Sequence, residues 1–278
     1  MIGSIKAELL VLRKRQATWI LLGIWTILAA IFAYIVPYML NRDAANPAEE
    51  ALLRQLLPDR LVGNISAGFP FYGGAFALML GVLAVGSDYG WGTLKTLFTQ
   101  GPGRARVFVA KLAAIALTLT AFVVLPFVVG TIGSLVVANL EGAAVDLPSF
   151  GLVVRGLLAS WLILLAWGAF GVLLAVLSRG TSLAIGVGIL YTLALEGLLS
   201  ALAGSVSLLE PLVKVFVRTN AYSLIRPLGA MGAGSAGDGP GAFSGPFVST
   251  TQALLVLALY VAVFGGIAGL SLRRRDVA

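Results

Sequence analysis

Gly86-Ser87-Asp88-Tyr89-Gly90-Trp91-Gly92-Thr93-Leu94-Lys95-Thr96-Leu97-Phe98, then the turn Gly101-Pro102-Gly103, then Arg104, Arg106 and Lys111, is the stretch on which the architecture depends. It is basic, and on each side lie about twenty apolar residues, long enough to cross a bilayer as a helix. A positively charged segment between two crossings is expected on the cytoplasmic side. Within it, Tyr89, Thr93, Leu94, Leu97 and Phe98 fall on one stripe of a short helix along the membrane surface, with Lys95 toward the cytoplasm or the lipid headgroups. The Gly-Pro-Gly turn stops that helix, and Arg104, Arg106 and Lys111 anchor the chain as it returns to the bilayer. A plain interfacial anchor would account for the charge. It would not account for defined turns on both sides of an apolar stripe that nothing else in the chain covers.

The composition places the rest of the chain in the same setting. Hydrophobic residues are 59% and charged residues 11% of 278 positions, whereas about a quarter of a soluble domain is charged. The reading is an all-α integral membrane protein. Lys6, Arg13, Lys14, Arg15, Lys95, Arg104, Arg106, Lys111, Arg179, Arg273, Arg274 and Arg275 fall on one side against Glu8, Asp88 and Asp276, which leaves that side strongly positive. The opposite side carries Arg42, Arg54, Arg60, Arg155, Lys214, Arg218 and Arg226 and is nearly balanced by acids. This asymmetry puts both termini in the cytoplasm and requires an even number of crossings. The net charge of +7 is thereby explained by topology rather than by nucleic acid, for which no basic domain exists.

Six crossings are expected, at about 18–39, 66–86, 110–138, 151–177, 183–203 and 250–272. Residues 1–17 place Ile2, Ile5, Leu9 and Leu12 at helical spacing among Lys6, Glu8, Arg13 and Lys14, as an amphipathic helix on the inner leaflet or as a simple basic topology signal. The apolar run after it is too long for a signal-peptide core and is expected to stay as the first crossing. Asn46-Pro47 starts a short outer helix, and Pro126 should kink the third crossing. Residues 89–103 form the short surface helix. The outer segment 204–248 divides into 208–228, too charged to cross but apolar enough to dip into the bilayer, and a Gly/Ala/Ser/Pro-rich remainder. The pairs Gly265/Gly269 and Gly171/Ala175 permit close helix packing.

The chain holds no cysteine and no histidine, which excludes thiol chemistry, disulfides and histidine-containing metal sites. No GxxxxGK[ST] phosphate loop is present, so ATP hydrolysis by this chain alone is not expected, nor is any cofactor on it. Glu196, in Tyr191-Thr192-Leu193-Ala194-Leu195-Glu196-Gly197, is the one acid inside an expected crossing. It lies about 20 Å from Thr181 at about 1.5 Å per residue. It either faces the bundle or a substrate path as a functional carboxylate, or reaches the outer interface because the helix ends early.

The stretch from Asp88 to Lys111 resembles the region after the second crossing in ABC-2-type transporter permeases. There an acidic residue is followed by Gly-Thr, a Leu-rich short helix, a Gly/Pro or Ser-Arg turn and a Lys opening the third crossing. These features match Asp88, Gly92-Thr93, Leu94 and Leu97, Pro102 to Arg104, and Lys111; the acid is more often Glu. The resemblance implies a permease subunit of an ATP-driven exporter in a prokaryotic cell membrane, paired with a second copy and with two separate ATP-binding subunits that carry ATP and Mg. Asp88, Tyr89, Thr93, Leu94, Leu97, Phe98 and Arg104 would then belong to the coupling helix that seats in the ATPase. The alternatives are a non-transporting membrane partner of an ATPase, or an ion-coupled carrier using Glu196.

Overall fold

In the computed structural model, which describes residues 1–43, 45–90, 103–203, 206–230, 243 and 245–274, all regular structure among the described residues is helical. The first helix, α1 (Ile2–Lys14), buries Glu8 and Leu12, one turn apart on one face. Arg15, in extended conformation (φ −79°, ψ 119°), is the single residue between α1 and α2 (Gln16–Asn41). A break this short gives a rigid corner rather than a linker.

Two prolines inside long helices show how the bundle is fastened. Proline lacks an N–H, so the carbonyl four residues earlier loses its helical partner. Pro37 frees the Ala33 carbonyl, just after a π-helical turn at Ile31–Ile35, and Asn64 Nδ2 donates to it at 2.9 Å. Pro126 frees the Phe122 carbonyl, and the indole Nε1 of Trp25 in α2 donates to it at 2.8 Å. Neighbouring elements thus satisfy both freed carbonyls, as an apolar setting requires. The third crossing is one helix through Pro126, α6 (Arg104–Leu140). Its 37 residues span about 55 Å, well beyond the roughly 30 Å hydrocarbon core.

Between α2 and α6 the chain makes a short helix, α3 (Pro47–Arg54), capped by Asn46 Oδ1, which accepts from the backbone of Ala48 and Glu49. It then re-enters through α4 (Leu61–Ser66), a π-helical turn at Phe69–Gly73, and α5 (Gly74–Gly90). Gly68, Pro70 and the Gly73-Gly74 pair interrupt the start of this segment. Its helix continues to Gly90, so Tyr89 and Gly90 end α5. After α6 come α7 (Phe150–Ser178), capped by Ser149 Oγ, and a left-handed Arg179 (φ 53°). Then follow α8 (Ser182–Leu190), a third π-helical turn at Tyr191–Leu195, and α9 (Glu196–Ala203). A single turn at Glu210–Val213 leads to α10 (Val217–Ile225), and α11 (Thr250–Arg274) is the last helix.

The centre is the α5–α7 crossing. Gly81 of α5 lies against the Gly168 carbonyl, and Gly171 of α7 against the Leu78 carbonyl, with no room for a methyl group at either. Small residues let the two backbones touch, which is how helices gain packing energy in lipid. The apolar stretches of the run Pro58–Gly90, which ends in α5, and of α7 are 72% and 67% buried; those of α2 and α11 are 22% and 17% buried. Trp19, Ile27, Leu255 and Leu259 accordingly turn outward. Five helical runs among the described residues are long and apolar enough to cross a membrane. The fold is an all-α membrane protein.

The charges separate along the bundle. Glu8, Arg15, Asp88 and Lys111 gather at one end, where Gly86 also packs on Gly180 and Thr181 of the α7–α8 turn. Gly269, near the end of α11, lies against Phe108 at that same end. At the other end the Tyr38 hydroxyl donates to Glu141 Oε1 at 2.9 Å, tying α2 to α6.

Candidate functional site

Residues 91–102 lie outside the described residues; α5 ends just before them, α6 begins just after, and a buried ionic cluster joins these two helix ends. Lys111 Nζ lies 2.9 Å from Asp88 Oδ2 and 2.5 Å from Glu8 Oε2. The three side chains are only 7 to 11% exposed. One ammonium is therefore shared by two carboxylates, and the three groups come from three different helices. Asp88 stands in the last turn of α5, where the helix dipole disfavours an acid; Lys111 offsets that. Such clusters seldom add stability over apolar packing, but they fix register, because removing one member strands the others.

The surroundings reinforce this base. The Arg15 guanidinium donates to the Leu83 carbonyl of α5, and Trp19 Nε1 donates to the Arg13 carbonyl at 2.7 Å across the α1–α2 corner. Of the residues expected in the coupling segment, Asp88 is in the cluster, Tyr89 is half-buried against the core, and Arg104 is the first residue of α6. Thr93, Leu94, Leu97 and Phe98, and the 89–103 helix beyond Gly90, lie outside the described residues. Sequence reasoning treated Glu8 as an acid among surface charges and Lys111 as an anchor. The missed signal was the position of Glu8: it shares a helix face with Leu12, and an acid in an apolar stripe calls for a cation.

Glu196 is fully buried, and it caps another helix. Its Oε1 accepts from the Val217 N–H at 3.1 Å and its Oε2 from the Arg218 N–H at 3.0 Å. These are the first two residues of α10, whose N–H groups have no partner within their own helix. All nine residues of α10 are buried. The Arg218 guanidinium sits 4.9 Å from the centre of the Phe71 ring, the Tyr260 hydroxyl donates to the Val215 carbonyl at 2.8 Å, and the Val248 N–H donates to Ser223 Oγ at 3.1 Å. The segment after α9 thus turns back into the bundle, and Glu196 holds its return. Among the described residues no cluster of acids has the makings of a metal site.

No curated protein matches the chain. The sequence model of the ABC-2 family transporter proteins matches residues 3–277. A match over nearly the full length, on an all-helical membrane fold whose second and third long helices are joined by an ionic cluster near their facing ends, leads to one assignment: the chain is an ABC-2-type permease.

Proposed function

We propose that the chain is the membrane subunit of an ATP-driven exporter in a prokaryotic cell membrane. Two copies form the pathway, each with six crossings and cytoplasmic termini, the run through α8 and α9 being the crossing additional to the five longest. The chain performs no chemistry of its own. ATP and Mg reside on two separate ATP-binding subunits, one for each permease copy, and the 91–102 loop with Tyr89 and Arg104 seats in them. Closure of the ATPases shifts an inward–outward equilibrium through differential contacts at the docked loop.

The Glu8–Lys111–Asp88 cluster is the observation that most supports this reading. A loop that merely anchored the chain would need no buried ionic clamp across its stems, whereas a loop that transmits force needs a stiff base. Co-purification with candidate ATP-binding subunits in nanodiscs is expected to give a complex, two copies of each chain, that turns over ATP. A chain that purifies alone, with no associated ATPase, would overturn the proposal.

A further inference from the structure

Hydroxyls inside the long helices of this chain follow a habit. Thr26, Ser87, Thr118, Thr131 and Ser178 each donate to the carbonyl four residues earlier, at 2.7–2.8 Å. In an apolar helix that carbonyl is always within reach of a serine or threonine. Ser66 of α4 and Ser160 of α7 break the habit. Both are 0% exposed, and neither hydroxyl has a hydrogen-bond partner among the described residues, although the Val62 and Gly156 carbonyls stand four residues before them.

The packing register brings these two exceptions to one level. The run Pro58–Gly90 and α7 lie side by side and point the same way: Gly156 meets Val62, Leu164 meets Gly73, and Gly171 meets the Leu78 carbonyl. Ser66 is one turn beyond Val62, and Ser160 is one turn beyond Gly156. Both therefore fall on the faces in contact, one turn further along the two helices than the Val62–Gly156 touch. The other sides of α4 are engaged elsewhere. Leu61 and Ile65 pack on Gly130 of α6, and Asn64 donates to the Ala33 carbonyl of α2.

The backbone adds a third polar group at the same place. Pro70 can offer no N–H to the Ser66 carbonyl. Across the break between α4 and α5, the Gly68 N–H goes to the Ile65 carbonyl and the Gly73 N–H to the Gly68 carbonyl, and both pass Ser66 by. One serine pair thus gathers two hydroxyls and a carbonyl deprived of its helical donor. Buried polar groups are nearly always bonded, and where the protein offers no partner an ordered water does so.

We propose that Ser66 and Ser160 form a built-in binding site for one water molecule, at the joint where the second crossing passes from α4 to α5. The water accepts from one hydroxyl, donates to the other, and donates to the Ser66 carbonyl. Three hydrogen bonds are the usual complement of a buried water. Trp167 Nε1, also buried without a partner among the described residues, lies about 10 Å further along α7 and is beyond reach of the same molecule. The site uses no residue of the ionic cluster and asks nothing of an ATP-binding subunit.

A cryo-EM map of the chain in nanodiscs, at a resolution that shows ordered water, reads the site directly. The expected result is a peak at hydrogen-bond distance from both Ser66 Oγ and Ser160 Oγ. Hydroxyls bonded directly to each other, or turned back onto the Val62 and Gly156 carbonyls with nothing between them, overturn the site. Thermal midpoints give an independent reading. Ser66→Ala and Ser160→Ala each take one partner from the water, and each should lower the midpoint by about 2–4 °C. The double variant should fall by less than the sum, because the two hydroxyls serve one molecule. Single variants within about 1 °C of wild type, or shifts that simply add, overturn the shared water.

Discussion

Replacing Lys111 with Met is the most severe test of the ionic cluster, because it keeps the side-chain length and most of the volume while removing the charge. Glu8 Oε2 and Asp88 Oδ2 lie 2.5 and 2.9 Å from the same nitrogen, so the two oxygens are no more than about 5 Å apart. Two like charges at about 5 Å repel by about 3 kcal/mol at an effective dielectric of about 20. Breaking a buried pair by deleting one partner costs about 3–5 kcal/mol in other proteins, and the repulsion is part of that cost. At about 2–4 °C per kcal/mol for a chain of this size, Lys111→Met should lower the thermal midpoint in detergent by about 10 °C. The companion variant decides the cause. Asp88→Asn in the Lys111→Met background removes the like-charge repulsion and should recover more than half of the loss. Midpoints that fall additively, or a Lys111→Met shift under about 2 °C, would refute the shared-ammonium account.

Other expectations concern separate parts of the structure. Gly171→Ala pushes a methyl into the Leu78 carbonyl and should cost about 1–3 kcal/mol in thermal stability; a neutral outcome would mean that α5 and α7 pack less closely. Glu196→Ala leaves the Val217 and Arg218 N–H groups buried without acceptors, at about 1–3 kcal/mol each, so limited proteolysis should cut near residues 214–225. Glu196→Gln retains one acceptor oxygen and should lie between wild type and Ala; equal protection in all three would show that Glu196 does not hold α10. Leu97→Asp and Phe98→Asp should abolish stimulation of a partner ATPase while the chain keeps its elution profile in detergent. Unimpaired stimulation would remove the docking role from these residues.

Much of the fold could be read from hydropathy because lipid enforces a simple rule: long apolar runs must close their own backbone hydrogen bonds. The ranges 18–39, 110–138, 151–177 and 250–272 fall inside α2, α6, α7 and α11. What could not be read was set by side chains meeting across helices. Pro126 marked a carbonyl that would lose its helical donor, but not that Trp25, almost a hundred residues away, supplies the replacement. Glu196 left two readings open, since nothing local announces that the N-terminus of α10 returns to meet it. Residues 208–228 looked too charged to cross and apolar enough to dip inward; burying Arg218 took the ring of Phe71, from a segment far back in the sequence. At the loop base, Asp88 and Lys111 stood out by their flanking positions. Glu8 did not, because its partner lies 103 positions away.

The central claim is that the loop between α5 and α6 touches an ATP-binding subunit, and a photo-crosslinking side chain at Leu97 tests it most directly. The account predicts a crosslink to the ATP-binding subunit from Leu97 and from Phe98, and none from Leu147, which is exposed in the segment between α6 and α7. An intact complex in which Leu97 and Phe98 give no crosslink, while Leu147 does, would contradict it.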